Sequence, residues 1–138
     1  MLKNLNSVKI IYFKSRKNKT GNLILFEKIK EIPFNMKNVF LINGEKNFTR
    51  GNHAHKKASQ LLICISGKIE VTCQTSNKKK IYILKNSGKG LFIPVGIWSH
   101  HKYILKSSRL LVLSDKNYSE SDYIRTFKNY LLFRKKNK

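Results

Sequence analysis

The chain has 138 residues, 41% of them hydrophobic, enough for one domain with its own core. No apolar run approaches the roughly 18 residues of a membrane span. The opening MLKNLNSVKI lacks the apolar stretch and cleavage site of a signal peptide, so a cytoplasmic protein is expected. The formal net charge is +22, but it comes from 24 lysines against 5 arginines, spread along the whole chain. With 14 asparagines beside them, this pattern reads as compositional bias. A nucleic-acid partner is not expected, because phosphate and base recognition favours clustered arginine.

From the N-terminus, short runs rich in Ile, Val, Leu, Phe or Tyr alternate with turn residues. Expected strands cover 8–13, 22–27, 37–42, 50–55, 59–66, 68–75, 80–84, 90–93, 102–105 and 109–114. Separators such as RKNKTG, NGEKN, SNKK and KNSGKG break them cleanly. Many short strands at this spacing predict an all-β closed barrel or jelly roll. Cys64 and Cys73 fall in two of these strands, make no CxxC pair, and are expected to be reduced, buried small hydrophobes. Near the end the period changes. Tyr123, Phe127, Tyr130 and Leu131 recur at helical spacing, and Ser119 with Asp122 three residues on resembles a capping box. One C-terminal α-helix is expected, followed by a frayed tail over 134–138. No repeat, linker or second domain interrupts 1–138.

The chemistry concentrates in RGNHAHKKASQ, residues 50–60. His53 and His55 lie two apart, so on a strand both imidazoles point to one face. Gln60 and Gly67 follow, and Gly88, Pro94, Gly96 and Ser99 come later. This spacing resembles the two motifs of the cupins, small jelly-roll barrels with a site in the mouth. In metal-binding cupins the ligands are the two histidines, a glutamate and a later histidine. Here Gln60 and Ser99 stand at the last two positions, and a neutral amide and a hydroxyl are poor ligands for Zn²⁺, Fe or Cu. His100 comes one residue late and is expected to face the other way. No metal and no cofactor are therefore expected. Imidazoles with a pKa near ~6.5 suit proton transfer at neutral pH. Two on one face can serve adjacent carbons of a sugar, taking a proton beside a ketone and returning one at the old carbonyl carbon through an enediol.

A longer co-linear match is more specific. The runs VFLI…TRGNHAHKKASQLLICISGKIEV, GKGLFIPVGIWSHH and RLLVLSDKNYSESDYIRTF resemble the nucleotide-sugar 3,4-ketoisomerases over about residues 8 to 130. The last run carries Ser114, Asp115, Tyr118, Glu120, Asp122, Tyr123, Ile124 and Arg125 in the family's order. The resemblance implies a cupin jelly roll of antiparallel strands with one C-terminal α-helix. It implies an enzyme that moves the keto group of dTDP-4-keto-6-deoxy-glucose from C4 to C3 without a metal. It further implies an aminotransferase that then makes a 3-amino-3,6-dideoxyhexose, often N-acetylated, for surface polysaccharide or antibiotics. It also implies a homodimer that exchanges N-terminal strands.

Carried onto this chain, the resemblance makes His53 and His55 the proton-transfer pair. Arg50 becomes a diphosphate or sugar ligand, since guanidinium meets phosphate with two bonds. Lys56 could add a second positive charge, Gln60 could bond a sugar hydroxyl or orient a histidine, and Trp98 could stack on thymine or pack the mouth. Tyr123 and Arg125 are expected to open the last helix in structural roles. A tyrosine common in relatives on the strand before the histidines is replaced by Phe40 and Leu41. Three other readings remain: a metal-dependent cupin, a non-catalytic sugar or polyanion-binding module, and a nucleotide-sugar 3,5-epimerase on the same barrel. The epimerase usually pairs a histidine with an acid, and no carboxylate lies near the HxH run.

Overall fold

The computed structural model describes residues 2–27, 32–86 and 88–138. Two five-stranded antiparallel sheets face each other. The first runs in the order β1 (Lys9–Tyr12), β9 (Lys89–Ile93), β6 (Gln60–Ser66), β11 (Arg109–Ser114), β4 (Asn38–Asn43). The second runs β12 (Tyr123–Ile124), β5 (Thr49–His55), β10 (Trp98–Tyr103), β7 (Ile69–Gln74), β8 (Lys79–Leu84). A separate hairpin joins β2 (Lys14–Asn18) to β3 (Gly21–Leu25). This is the expected all-β jelly roll, and one helix, α1 (Phe127–Lys136), closes the chain. Among the described residues, no helix is long and apolar enough to cross a membrane.

Three apolar clusters explain how the strands pack. Leu62 and Cys64 of β6 join Val71, Cys73, Leu84, Leu91, Ile97, Leu110 and Val112 between the two sheets. The alternate residues Leu61 and Ile63 point outward and are covered by Phe13, Ile32 and Leu113. That is why LLICI reads as an unbroken apolar run, since both faces of β6 are buried. The third cluster lies behind the second sheet, where Ala54, Trp98, Ile124 and Tyr130 pack with Phe127 and Phe133 of α1. Cys64 and Cys73 are buried and unbridged, and desolvation pushes their thiols up to about 11 and about 12.

Three elements depart from the sequence expectation. The strand expected over 102–105 begins instead at Trp98, because its inward-facing residues there, Ser99 and His101, line a polar cavity and leave no apolar alternation to mark it. The β2 strand, KSRKN, is exposed throughout and carries no burial pattern to betray it. The last helix starts later than expected. Ser119 precedes one 3-10 turn, Glu120–Asp122, without a side-chain cap, and Tyr123–Ile124 then pairs with β5. The true cap is Thr126, whose hydroxyl accepts from the Asn129 N–H at 3.2 Å. The expected frayed tail is helical to Lys136. Arg134 donates to the backbone oxygens of Lys3 and Gly96, and three basic residues in the last turn suit the negative end of the helix dipole.

Candidate active site

A cavity of about 430 Å³ opens between the sheets. Its lining includes Arg50 and His53 from β5, Gln60 from β6, Ser99 and His101 from β10, and Tyr123 and Arg125 beside β12. Arg50 and His53 are three apart, so a regular strand would point them to opposite faces. A bulge resolves this. Opposite β10, His53 pairs with Ser99 and Gly51 with His100, leaving Asn52 as an extra residue. Gly51 at φ 90° and Asn52 at φ 57° take the left-handed conformation that such a bulge needs.

His55 sits beside His53, with ring centroids 5.0 Å apart. The Tyr123 ring lies against both, at 4.8 Å from His53 and 4.5 Å from His55. His55 is buried, and its Nδ1 is 2.8 Å from Oδ2 of Asp122. Asp122 also accepts the backbone N–H groups of Lys57 and Ala58, so its carboxylate is anchored in the turn that follows β5. A carboxylate can only accept, so Nδ1 of His55 carries the proton and Nε2 is left bare. That Nε2 is buried with no partner among the described residues. Burial lowers the pKa of His55 against the opposing pull of Asp122, and burial together with His55 brings His53 down to about 4. Both rings are therefore neutral at pH 7, the form that can take a proton.

The mouth is cationic but ordered. Arg125 donates from Nε to Glu120 Oε1 at 2.5 Å and from Nη2 to Oε2 at 2.8 Å, and its guanidinium lies 4.3 Å from the centre of the Tyr123 ring. The Tyr118 hydroxyl donates to the same carboxylate at 2.6 Å. The Arg125 bonds first, and then the Tyr118 bond, hold the Glu120 carboxyl down at about 2. Arg125 is thus steered over the ring that covers the histidines.

The cupin fold commonly holds a metal, but the donors here fit one poorly. The cavity presents imidazole, amide and hydroxyl groups, and the nearby carboxylate of Asp122 is spent on His55 and two backbone N–H groups. Among the described residues no group of three or more His, Cys, Asp or Glu is placed to hold a metal ion.

The family model "FdtA: WxcM-like, C-terminal" matches residues 6–135. The TDP-4-oxo-6-deoxy-alpha-D-glucose-3,4-oxoisomerase of Aneurinibacillus thermoaerophilus is 33% identical over 123 residues, 88% of each chain. The chain belongs to this family of sugar 3,4-ketoisomerases. The solved structure of QdtA, a sugar 3,4-ketoisomerase from Thermoanaerobacterium thermosaccharolyticum in complex with TDP, is 37% identical. It superposes with a TM-score of 0.91 over 97% of this chain and 98% of QdtA. A histidine-to-asparagine variant of QdtA, solved with TDP-4-keto-6-deoxyglucose, is 36% identical over 96% of this chain and 97% of its own, again with a TM-score of 0.91. A 4-keto-6-deoxy sugar epimerase from Streptomyces spheroides is 15% identical over 84% of this chain and 67% of its own; at a TM-score of 0.75 it shares the fold alone.

In this ketoisomerase, His53, Arg50 and Gln60 meet at the cavity, and His55 stands directly behind His53. Lys56 and Trp98 are not part of it. The Lys56 ammonium donates to the Ser121 carbonyl at 2.8 Å, outside the cavity. Trp98 is buried under α1, edge-on to Phe127 at 5.3 Å. Its neighbour Ser99 lines the cavity, so strand alternation turns Trp98 to the back. Tyr123 and Arg125 are cavity residues rather than the opening of a helix. The expectation that no carboxylate lies near the histidines fails at Asp122, which is distant in sequence but bonded in space. His101 is a further cavity residue outside the sequence expectation; it shares the inward face of Ser99, two residues before it on the strand.

Proposed function

We propose that this ketoisomerase acts on dTDP-4-keto-6-deoxy-glucose and returns its 3-keto isomer. The observation that carries this is the pair of neutral imidazoles in a chain of this family, His53 lining the cavity and His55 directly behind it. One imidazole takes the proton from C3. The electrons of that C–H bond form the C3–C4 double bond, and the C4 carbonyl becomes the enediol oxygen. The C3 hydroxyl then gives up its proton, in net terms to O4, which becomes the C4 hydroxyl; C3 becomes the ketone, and the imidazolium formed in the first step returns a proton to C4. Protons balance across the cycle, and no oxidant or reductant is consumed. Asp122 holds His55 in the tautomer whose Nε2 can accept. An imidazole with a low pKa parts easily with the proton it has taken, so one residue can serve both half-steps.

Arg50 and Arg125 supply the cationic edge for the diphosphate, and Gln60 offers an amide to a sugar hydroxyl. Tyr123 also lines the cavity, with the Arg125 guanidinium over its ring and the two histidines against it. The 3-keto product is the substrate an aminotransferase needs to install a 3-amino group, which places the enzyme in 3-amino-3,6-dideoxyhexose synthesis for surface polysaccharide. We assign a homodimer with exchanged N-terminal strands. The exposed β2–β3 hairpin and the exposed Val39, Leu41 and Ile65 on the outer face of the first sheet support it. The two buried thiols suit a reducing compartment, and the reading locates the enzyme in the cytoplasm.

The test incubates the protein with dTDP-4-keto-6-deoxy-glucose and follows the sugar by NMR. A 3-keto product is expected, and His53→Asn lowers its rate roughly 10²- to 10⁴-fold with the fold intact. The His55–Asp122 pair also suits an epimerase, so proton exchange at C5 without a 3-keto product would favour that second reading.

A further inference from the structure

The ketoisomerase reading gives the carbon-bound protons to His53 and His55, but it leaves the oxygens unattended. During the reaction negative charge builds on O4 as the ketone becomes an enediol, and then on O3 as that hydroxyl is deprotonated. A donor fixed in the cavity wall would stabilise both stages. The wall holds one imidazole without an assigned task. His101 lies on β10 opposite Arg50, lines the cavity, and is only 7% exposed.

Its tautomer follows from its neighbour. Nδ1 of His101 is 3.0 Å from the hydroxyl of Tyr103, two residues along the same strand. Tyr103 is fully buried, and this is the one hydrogen bond of its hydroxyl among the described residues. Burial raises the phenol well above its usual range, so it keeps its proton. If Nδ1–H were the donor, the phenolic hydrogen would be buried with no acceptor, and an unsatisfied buried donor is unfavourable. The phenol therefore donates to Nδ1, and the ring's own hydrogen sits on Nε2.

The geometry is held from two sides. A Cβ on Gly44 would fall 2.0 Å from the Tyr103 ring, so glycine there is what lets the ring lie flat against the strand turn. A Cβ on Gly51 would come within 3.3 Å of Nε2 of His101, so the bulge glycine leaves that nitrogen room at the cavity wall. Nε2 has no protein hydrogen-bond partner among the described residues. Charging the ring is opposed by burial first, and then by His53, Arg50 and His100, which together bring His101 down to about 3. The ring stays a neutral donor throughout the physiological range.

We infer that His101, locked by Tyr103 with its hydrogen on Nε2, is a further catalytic residue that donates a hydrogen bond to the enediol oxygens at C3 and C4. It makes and breaks no covalent bond, so the proton balance of the reaction is unchanged. The inference rests on the ketoisomerase reading. His55 and His101 are then complementary: a carboxylate leaves the one with a bare Nε2, and a phenol leaves the other with a protonated one.

Two measurements test it. The first needs no substrate. Long-range ¹H–¹⁵N correlation spectra of the ¹⁵N-histidine-labelled enzyme at pH 7 report which ring nitrogen of each histidine carries hydrogen. His101 is expected as the Nε2–H form, shifting toward a mixture in Tyr103→Phe; an Nδ1–H form in the wild type overturns the inference. The second is steady-state turnover. His101→Ala lowers kcat roughly 10²-fold with KM within about threefold, the pattern of a donor that acts mainly at developing charge. His101→Gln, which keeps a neutral N–H, restores at least a tenth of the wild-type kcat. Tyr103→Phe falls between them. Wild-type kcat in all three variants overturns the inference while leaving the ketoisomerase reading standing. Absence of 3-keto product from the wild-type enzyme defeats that reading instead, and the tautomer measurement still decides the state of His101.

Discussion

The two walls of the cavity solve one problem in opposite ways. On the wall built from β5 and β12, Asp122 accepts from His55 and strips the hydrogen from its far nitrogen. On the wall built from β10, Tyr103 meets His101 through a hydroxyl that has a hydrogen to give. The imidazoles are chemically identical, and only the partner differs. The first wall thereby gains an acceptor and the second a donor, which is the pairing that enediol chemistry requires. The lesson is that a histidine's role is read from what binds its other nitrogen.

The contrast can be broken most sharply at Asp122. Asp122→Asn keeps the shape but replaces a charged acceptor with an amide that can turn either its oxygen or its NH₂ toward Nδ1. We expect kcat to fall roughly 10²- to 10³-fold, with turnover measured by NMR or by a coupled aminotransferase. Next is Arg50. Arg50→Ala removes the cavity cation proposed to meet the diphosphate and should raise KM about tenfold while changing kcat little, read from initial-rate kinetics. Such a split would separate the binding edge from the two catalytic walls.

Acid should affect both walls together. His53 and His101 are held at about 4 and about 3 in the fold, against an ordinary ~6.5 in the unfolded chain. Below pH ~6.5 the unfolded chain binds protons that the folded one refuses, so this share of stability is complete above ~6.5 and is lost as pH falls to about 4 for His53 and about 3 for His101. The melting temperature should drop through that window, and less steeply in His101→Gln; an identical slope would mean that His101 is not kept neutral by the fold. The smallest effect belongs to Lys56, which binds the Ser121 carbonyl outside the cavity. Lys56→Ala should leave kcat/KM within about twofold of wild type.

What the sequence showed and what it hid divide along physical lines. His53 and His55 were legible because alternation is local: two residues apart on a strand means one face. The strands of the first sheet were legible where apolar residues filled them. The β10 strand was blurred because Ser99 and His101 point into a polar cavity, which removes the apolar alternation that marks a strand. Asp122 was hidden for a different reason. Ser119 and Asp122 have the spacing of a helix cap, and only the pairing of Tyr123 with His55 shows that the carboxylate is carried into the barrel. The place of Trp98 is local information: a cavity-facing Ser99 turns its neighbour to the other side of the sheet, toward α1.

The central claim is that imidazoles move protons between C3 and C4 of a keto-sugar. The most direct measurement runs the wild-type reaction on dTDP-4-keto-6-deoxy-glucose in D₂O and locates deuterium by NMR. The account predicts deuterium at C4 of the 3-keto product and at C3 of the remaining substrate. Turnover that leaves both positions fully protiated would contradict it.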